Sequence, residues 1–492
     1  MNNSQKSYRQ ILKATSLFGG VQVISILAGV LRSKFAAIFI GVSGIGLLGI
    51  LNATLNLIVG VSKLGLDASS IKEIAFINKS EDLKVVSKTI YVLKRLLWLT
   101  GLIGALLTIA LSSVLSEMAF HSKDHTFSFI WIAVAVFFKQ LTYGELAILQ
   151  GLRLLKKLAL VNLYGSVISV LIAVPLYYIF GIDGIVPTIV LSAFLGYLIA
   201  NRFSISFKNE NESLSLKQII SEGKPMLKLG VTLSISGLIT LLVAYVIQLY
   251  ITNTGGLTEV GYYNAGIIII NSYVGIIFQS MSKDYFPRLA EVVNDLNKVG
   301  EIVTQQATIA LLLVTPIIII FTGFSQYLIS ILYSSAFLPT AVFLNVAITG
   351  IVFKAVSWSM GYVIIAHGHA KIFIKTAIAF NCFLLVINML SYSAYGLEGL
   401  GVSFVVYYCI HFIVIGIIMK KYYAFVFSKA FFKTFFLCLV MVFITFSITS
   451  IEGGGAKIVL LTLVIISSIL FTLYKLNKVT DLKTILKNKY RK

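Results

Sequence analysis

Four cations stand in stretches that are otherwise almost entirely apolar. Arg32 and Lys34 interrupt SILAGVLRSKFAAIFIG, Lys139 lies within WIAVAVFFKQLTYGELAIL, and Lys354 lies within NVAITGIVFKAVSWSMGYVII. A cation at the centre of a membrane helix costs about 2.5–3.5 kcal/mol on insertion scales, which disfavours contact with lipid. These side chains are therefore expected to face a water-filled cavity. Few acids share the apolar runs, so the cavity is expected to be net positive and suited to an anionic ligand such as a pyrophosphate. Lys139 and Lys354 are 215 positions apart and each follows a phenylalanine, as if they were one position of a repeated unit. Snorkelling to a helix end is the competing reading, easier for Arg32 and Lys34 than for the two mid-span lysines. Glu145 comes six residues after Lys139, off the face that helical neighbours share, and is a poor ion-pair partner for it.

Weaker candidates surround them. Asn52, Asn56, Gln248, Asn264, Asn271 and Gln279 fall within apolar runs. They could line the same cavity and bind sugar hydroxyls, or they could hydrogen-bond between helices. His367 and His369 flank Gly368 at a helix end, where a surface turn is expected and a metal site is not. Lys94 and Arg95 are expected to snorkel from the start of a span. No phosphate-cradling glycine loop, HExxH or GxSxG is found. The loops opposite the basic ones are short, the longest being about Leu115 to Thr126 and Gly323 to Pro339. The chain is accordingly expected not to be an enzyme and to need no cofactor or metal.

The elements that must carry these residues are membrane helices. The chain is 58% apolar and 12% charged, against roughly half and a quarter in soluble domains. Its mean hydropathy is +0.94. The apolar runs are about 20 residues long, enough for a helix to cross hydrocarbon, and lack the alternation of a barrel. About fourteen spans are expected, from roughly 14–40 to roughly 456–474. Lys and Arg outnumber Asp and Glu by 40 to 19. The excess falls on alternate connections, which puts both termini on the cytoplasmic side and makes nucleic-acid binding an unneeded explanation. Cys382, Cys409 and Cys438 lie in apolar runs and suggest neither disulfide nor metal ligation.

The halves echo each other. FGIDGIVP with Gly181 and Gly184 returns as YGLEGLGV with Gly396 and Gly399; Gln150-Gly151 returns as His367-Gly368; Asp67 and Lys72 return as Asp284 and Arg288. The offsets lie between 215 and 217. The expected architecture is an all-α integral membrane protein: residues 1–201 as a six-helix lobe, 202–228 as a cytoplasmic linker, 229–421 as a second six-helix lobe, and 422–492 as two extra helices and a basic tail. Even-numbered repeats cross the membrane in one sense, so the lobes should be related by a pseudo-twofold along the membrane normal with a site between them.

Three segments resemble a known family. IGVSGIGLLGILNATLNLIVGVSKLGLDASSIKEIA (40–75), LAILQGLRLLKKLALVNL with FGIDGIVP (146–187), and MSKDYFPRLAEV (281–292) are similar to Wzx-type O-antigen and capsular polysaccharide flippases. These belong to the multidrug/oligosaccharidyl-lipid/polysaccharide exporter superfamily. The resemblance implies two lobes that rock between inward- and outward-open states. It implies transfer of undecaprenyl-pyrophosphate-linked repeat units from the cytoplasmic to the periplasmic leaflet of the inner membrane, serving O-antigen and lipopolysaccharide synthesis. The implied partners are that lipid-linked glycan, the bilayer, and the polysaccharide polymerase and chain-length machinery. Related lipid II flippases carry an Arg-Asp pair in the first helix; Arg32 matches the arginine, and Ser33 replaces the acid.

Two other functions compete. A cation-coupled multidrug exporter of the same superfamily would need acids deep in the spans, where this chain has cations. A membrane polysaccharide polymerase or ligase would need large outer loops, which are missing.

Overall fold

The structure of the protein, a computed structural model, describes residues 21, 24–78, 82–204, 214–451 and 454–480. The basic N-terminal segment, the middle of the polar stretch after residue 204 and the tail from residue 481 lie outside them. The described residues form helices and no strand. Among the described residues ten helical runs are long and apolar enough to cross a membrane, which makes this an all-α, multi-pass membrane protein. Four of the ten contain a break: 3₁₀ turns at Gly181–Gly184 and Ile348–Gly350, a non-helical Gly256, and a non-helical pair at Tyr395 and Gly396. A count of continuous helices therefore falls below a count of hydrophobic spans.

The chain divides into two compact units, Met1–Gly261 and Tyr262–Lys492. The first contains α1 (24–39), α2 (Gly41–Ser62), α3 (Leu66–Ile77), α4 (Leu83–Phe120), α5 (Thr126–Gly151), α6 (Leu155–Phe180), α7 (Ile185–Phe203) and most of α8 (Leu216–Ile269). The second contains the end of α8, then α9 (Gly275–Glu291), α10 (Leu296–Gly323), α11 (Ser325–Leu332), α12 (Thr340–Ala347), α13 (Ile351–Ala366), α14 (Ala370–Tyr423), α15 (Lys429–Thr449) and α16 (Gly454–Thr480).

One end of the first unit is closed by a core that the sequence reading places in water. Ile219 and Met226 of α8 are buried among Leu66 and Ile74 of α3, Ile90, Leu93 and Leu97 of α4, and Ile148 of α5. The stretch 202–228 is thus helical from Leu216 and amphipathic, with Glu222 turned out to meet Lys88 at 2.7 Å. The α2–α3 turn fixes α8 further: Gly65 adopts φ +67°, and a Cβ on it would collide with the Gly230 backbone.

The duplication is visible in backbone geometry. Gly181 has φ 56° and ψ −129°, and Gly396 has φ 55° and ψ −136°. At the C-termini of α5 and α13 the same hydrogen bonds recur at an offset of 215. Leu154 N–H reaches the Leu149 carbonyl as His369 N–H reaches Ile364, and Arg153 N–H reaches Gln150 as Gly368 N–H reaches Ile365. This is the Schellman closure. The left-handed residues are Arg153 and Gly368, so the structural partner of Gly368 is Arg153, two residues beyond the Gly151 that the sequence echo pairs with it. Gly151 stays helical, and its lack of a side chain accommodates Ile74 of α3.

The two additional helices pack on the second unit. Thr472 of α16 donates to the Leu312 carbonyl of α10 at 3.0 Å, and Leu461 of α16 fills the space beside Gly323. Phe435 of α15 stacks on Phe412 of α14.

Candidate functional site

In the first unit the sequence-flagged cations gather around α1, α2 and α5. Lys139, half-buried on α5, donates from Nζ to the Asn56 amide oxygen on α2 at 2.7 Å. The charges acting on it are those of Arg32 and Lys63, both positive. Arg32 is exposed and donates to Ser169 Oγ of α6 at 3.0 Å. A second contact between the same helices runs from Ser166 to Ser25 at 3.1 Å. Lys34, half-buried, follows Arg32 on α1.

Lys63 is a member that the sequence reading passed over, because it looks like an ordinary lysine at a helix end. Its ammonium pairs with Asp67 at 2.7 Å and lies 4.9 Å from the Tyr143 ring centre. The cluster is thus three cations against one nearby carboxylate, with an amide, a hydroxyl and an aromatic face holding the excess charge. Such an arrangement leaves donors for an anion of more than one charge.

The second unit holds its lysine differently. Lys354 of α13 is half-buried, 5.1 Å from the Tyr408 ring centre and 5.8 Å from that of Phe278. His411, one turn beyond Tyr408 on α14, lies within reach of its charge, and the His411 Nδ1 is buried with no hydrogen-bond partner. No carboxylate pairs with Lys354 among the described residues. The rings extend through Tyr407 to Phe380, whose centroid is 4.4 Å from that of His411. Sequence reasoning missed this cage. With aromatic residues making up 12% of the chain, rings at helical spacing carry no signal of their own.

The polar residues separate into groups. Asn56 belongs to the Lys139 cluster, whereas Asn52 donates its amide back to the Leu48 carbonyl on its own helix at 2.8 Å. The Gln248 side-chain amide oxygen Oε1 in the first unit and the Asn264 side-chain amide nitrogen in the second are buried with no partner. A lone buried polar atom costs about 1–3 kcal/mol, so each is poised to receive a ligand group or a water. Asn271 is exposed on a π-helical turn at Ile270–Val274.

Two other expectations need restating. Lys94 does not simply snorkel: it pairs with Glu145 at 2.8 Å, and the Glu145 side chain is only 5% exposed. Glu145 cannot reach Lys139 across six helical positions but can reach across the α4–α5 packing. His369 Nδ1 meets the Tyr423 hydroxyl at 2.7 Å, and His367 stacks on His369, which accounts for both rings without a metal. Among the described residues no group of three metal-binding side chains occurs.

The described residues thus form two units of broken membrane helices with polar groups inside them. The backbone is similar to that of the lipid II flippase MurJ in an inward closed conformation, with a TM-score of 0.68 at 14% identity, covering 95% of this chain and 99% of that one. It is also similar to the inward-facing conformation of a multidrug resistance MATE family transporter of the MOP superfamily, with a TM-score of 0.66, 16% identity and coverage of 85% and 99%. The Vibrio cholerae MATE transporter VcmN matches with a TM-score of 0.55 at 15% identity over 87% and 100%. At these identities the likeness is one of fold. Residues 37–342 match the polysaccharide biosynthesis protein family, and the chain belongs to that family. No curated protein matches it.

Proposed function

We propose that the protein is a flippase that carries undecaprenyl-pyrophosphate-linked oligosaccharide units from the cytoplasmic to the outer leaflet by alternating access. The observation that carries the reading is the Arg32–Lys63–Lys139 cluster with Asn56 inside a membrane-spanning unit. A diphosphate that carries several sugars cannot cross hydrocarbon unaided, because its charge would lose its water shell. Ammonium and guanidinium donors replace that shell, and the polyprenyl chain stays in lipid. The excess of cations argues against a cationic drug as cargo. Family membership and the shared fold with a lipid II flippase agree with a lipid-linked glycan as cargo.

In this reading residues 1–201 and 229–421 are the rocking lobes, 202–228 joins them, and both termini are cytoplasmic in an inner membrane. Lys139 and Lys354 take the diphosphate, and Arg32 and Lys34 assist its entry. Asn52, Asn56, Gln248, Asn264 and Asn271 meet sugar hydroxyls. Binding must be modest in each state, since equal and tight binding would prevent release. The test is complementation in a strain without its own flippase, at matched membrane levels. Wild type is expected to restore surface glycan, and Arg32→Ala, Lys139→Ala and Lys354→Ala to lose it. Restoration by all three variants would sink the site.

A further inference from the structure

The two helices that have no counterpart in either repeat close a pocket against α10, α11 and α12. It has a volume of about 210 Å³ and lies where α10 ends and α11 begins, beside Asn345 near the end of α12, where α15 stops and α16 starts. Its lining is unlike the apolar surface around it. Thr322, Ser325, Gln326, Asn345 and Lys457 all face it, with Tyr327 at its edge. Two of these groups have nothing to bond to. Thr322 is 1% exposed and its hydroxyl has no partner; the Asn345 side-chain amide oxygen Oδ1 is likewise buried and unpaired. Leaving each of them unmade costs about 1–3 kcal/mol, which a hydroxyl-bearing ligand would recover. Lys457 gives one N–H to the Thr449 carbonyl at 2.6 Å, which leaves two of its three donors. The Phe324 and Tyr327 rings, with centroids 6.2 Å apart, flank the polar groups.

Several hydrogen-bonding groups of both kinds beside aromatic faces match a sugar ring. The ring's hydroxyls donate to Asn345 and accept from Lys457 and Gln326. Its C–H face lies on tyrosine. Drug-sized ligands need about 300–1,000 Å³, so this smaller space takes a single ring. We infer that the α10–α11–α16 pocket is a binding site for one pyranose residue of a glycan. Under the orientation proposed above it opens on the outer side, where a delivered glycan would emerge, and in that respect the inference rests on the flippase reading.

The experiment uses the full chain in lipid nanodiscs and saturation-transfer NMR with methyl glycosides of hexoses, N-acetylhexosamines and hexuronates. At least one is expected to saturate. Tyr327→Ala and Gln326→Ala, both at exposed positions, and the isosteric Thr322→Val are expected to weaken it about tenfold, roughly 1.4 kcal/mol. No saturable glycoside, or one indifferent to all three pocket variants, overturns the inference. Competition by a glycolipid placed in the same nanodisc assigns the sugar to a lipid-linked source, and its failure assigns it to a soluble glycan. Complementation separates the two proposals. Restored surface glycan without glycoside binding removes the pocket alone. Binding through Tyr327, with no restoration by any lipid-linked substrate supplied, removes the flippase alone.

Discussion

Where Lys139 gives one N–H to the Asn56 amide at 2.7 Å, Lys354, its counterpart 215 positions later, lies over the rings of Tyr408 and Phe278 at 5.1 and 5.8 Å. An amide oxygen holds a cation by occupying one of its protons. A ring face holds it through the quadrupole and leaves the protons free for a ligand. The first unit adds Arg32 and Lys63 around its lysine, whereas the second adds a histidine and more rings. The same contrast recurs nearby. Lys94 stands twelve residues after the N-cap Asp82 and pairs with Glu145. Twelve residues after the N-cap Asp295 stands Ala307, and 215 positions after Glu145 stands Met360, both fully buried. Duplication preserved the backbone and the lysine, and the two copies then solved burial by opposite chemistry: hydrogen-bonded charge in one, aromatic and aliphatic packing in the other.

The largest effect that would test this contrast is at the ion pair. Lys94→Ala alone leaves Glu145 buried without its cation and is expected to cost about 3–5 kcal/mol in thermal unfolding in detergent. Lys94→Ala with Glu145→Met imitates the second unit and is expected to return to within about 1 kcal/mol of wild type. Next come the lysines. Lys139→Met strands the Asn56 oxygen and is expected to cost about 1–3 kcal/mol. Lys354→Met places a thioether among rings and is expected to change stability by less than about 1 kcal/mol, although under the proposed function both variants are expected to lose glycan export. Equal losses of stability would erase the distinction between the sites.

Where the two copies are alike, their mutants should be alike. Gly181→Ala and Gly396→Ala, forced into the same positive-φ conformation, are each expected to cost about 1–3 kcal/mol, by the same unfolding measurement. The smallest effect is at the caps. Backbone donation from Lys298 holds the Asp295 carboxyl below its ordinary value. A lowered folded-state value means that the cap's contribution is complete above the ordinary carboxylate pKa and fades as pH falls through the lowered one. Amide protection at the start of α10, taken relative to the intrinsic exchange rate at each pH, is expected to fall on acidification from about pH 4 downward, and Asp295→Asn to remove that dependence.

Fold class, membrane character and duplication were legible because each is written in a long pattern: runs of about twenty apolar residues, and glycines returning at one offset. Short-range matches misled. Gln150-Gly151 resembles His367-Gly368 in sequence, yet Arg153 takes the left-handed place, because the cap depends on which carbonyls are free and tolerates a non-glycine residue there. In the charged stretch before Lys228 the packing of Ile219 and Met226 was not legible, since they are outnumbered by polar neighbours that turn away from α3 and α4. Lys94 with Glu145, and Lys354 with Tyr408, are separated by 51 and 54 residues, distances at which composition gives no hint of contact.

The placement of α8 has a consequence for how the protein is made. Ile219 and Met226 complete the core beneath α3, α4 and α5, and Gly230 closes against Gly65. A ribosome that has delivered seven helices into the bilayer has therefore not yet produced a finished first unit. The surface of Leu66, Leu93 and Leu97 that Ile219 and Met226 cover stays open until α8 has emerged.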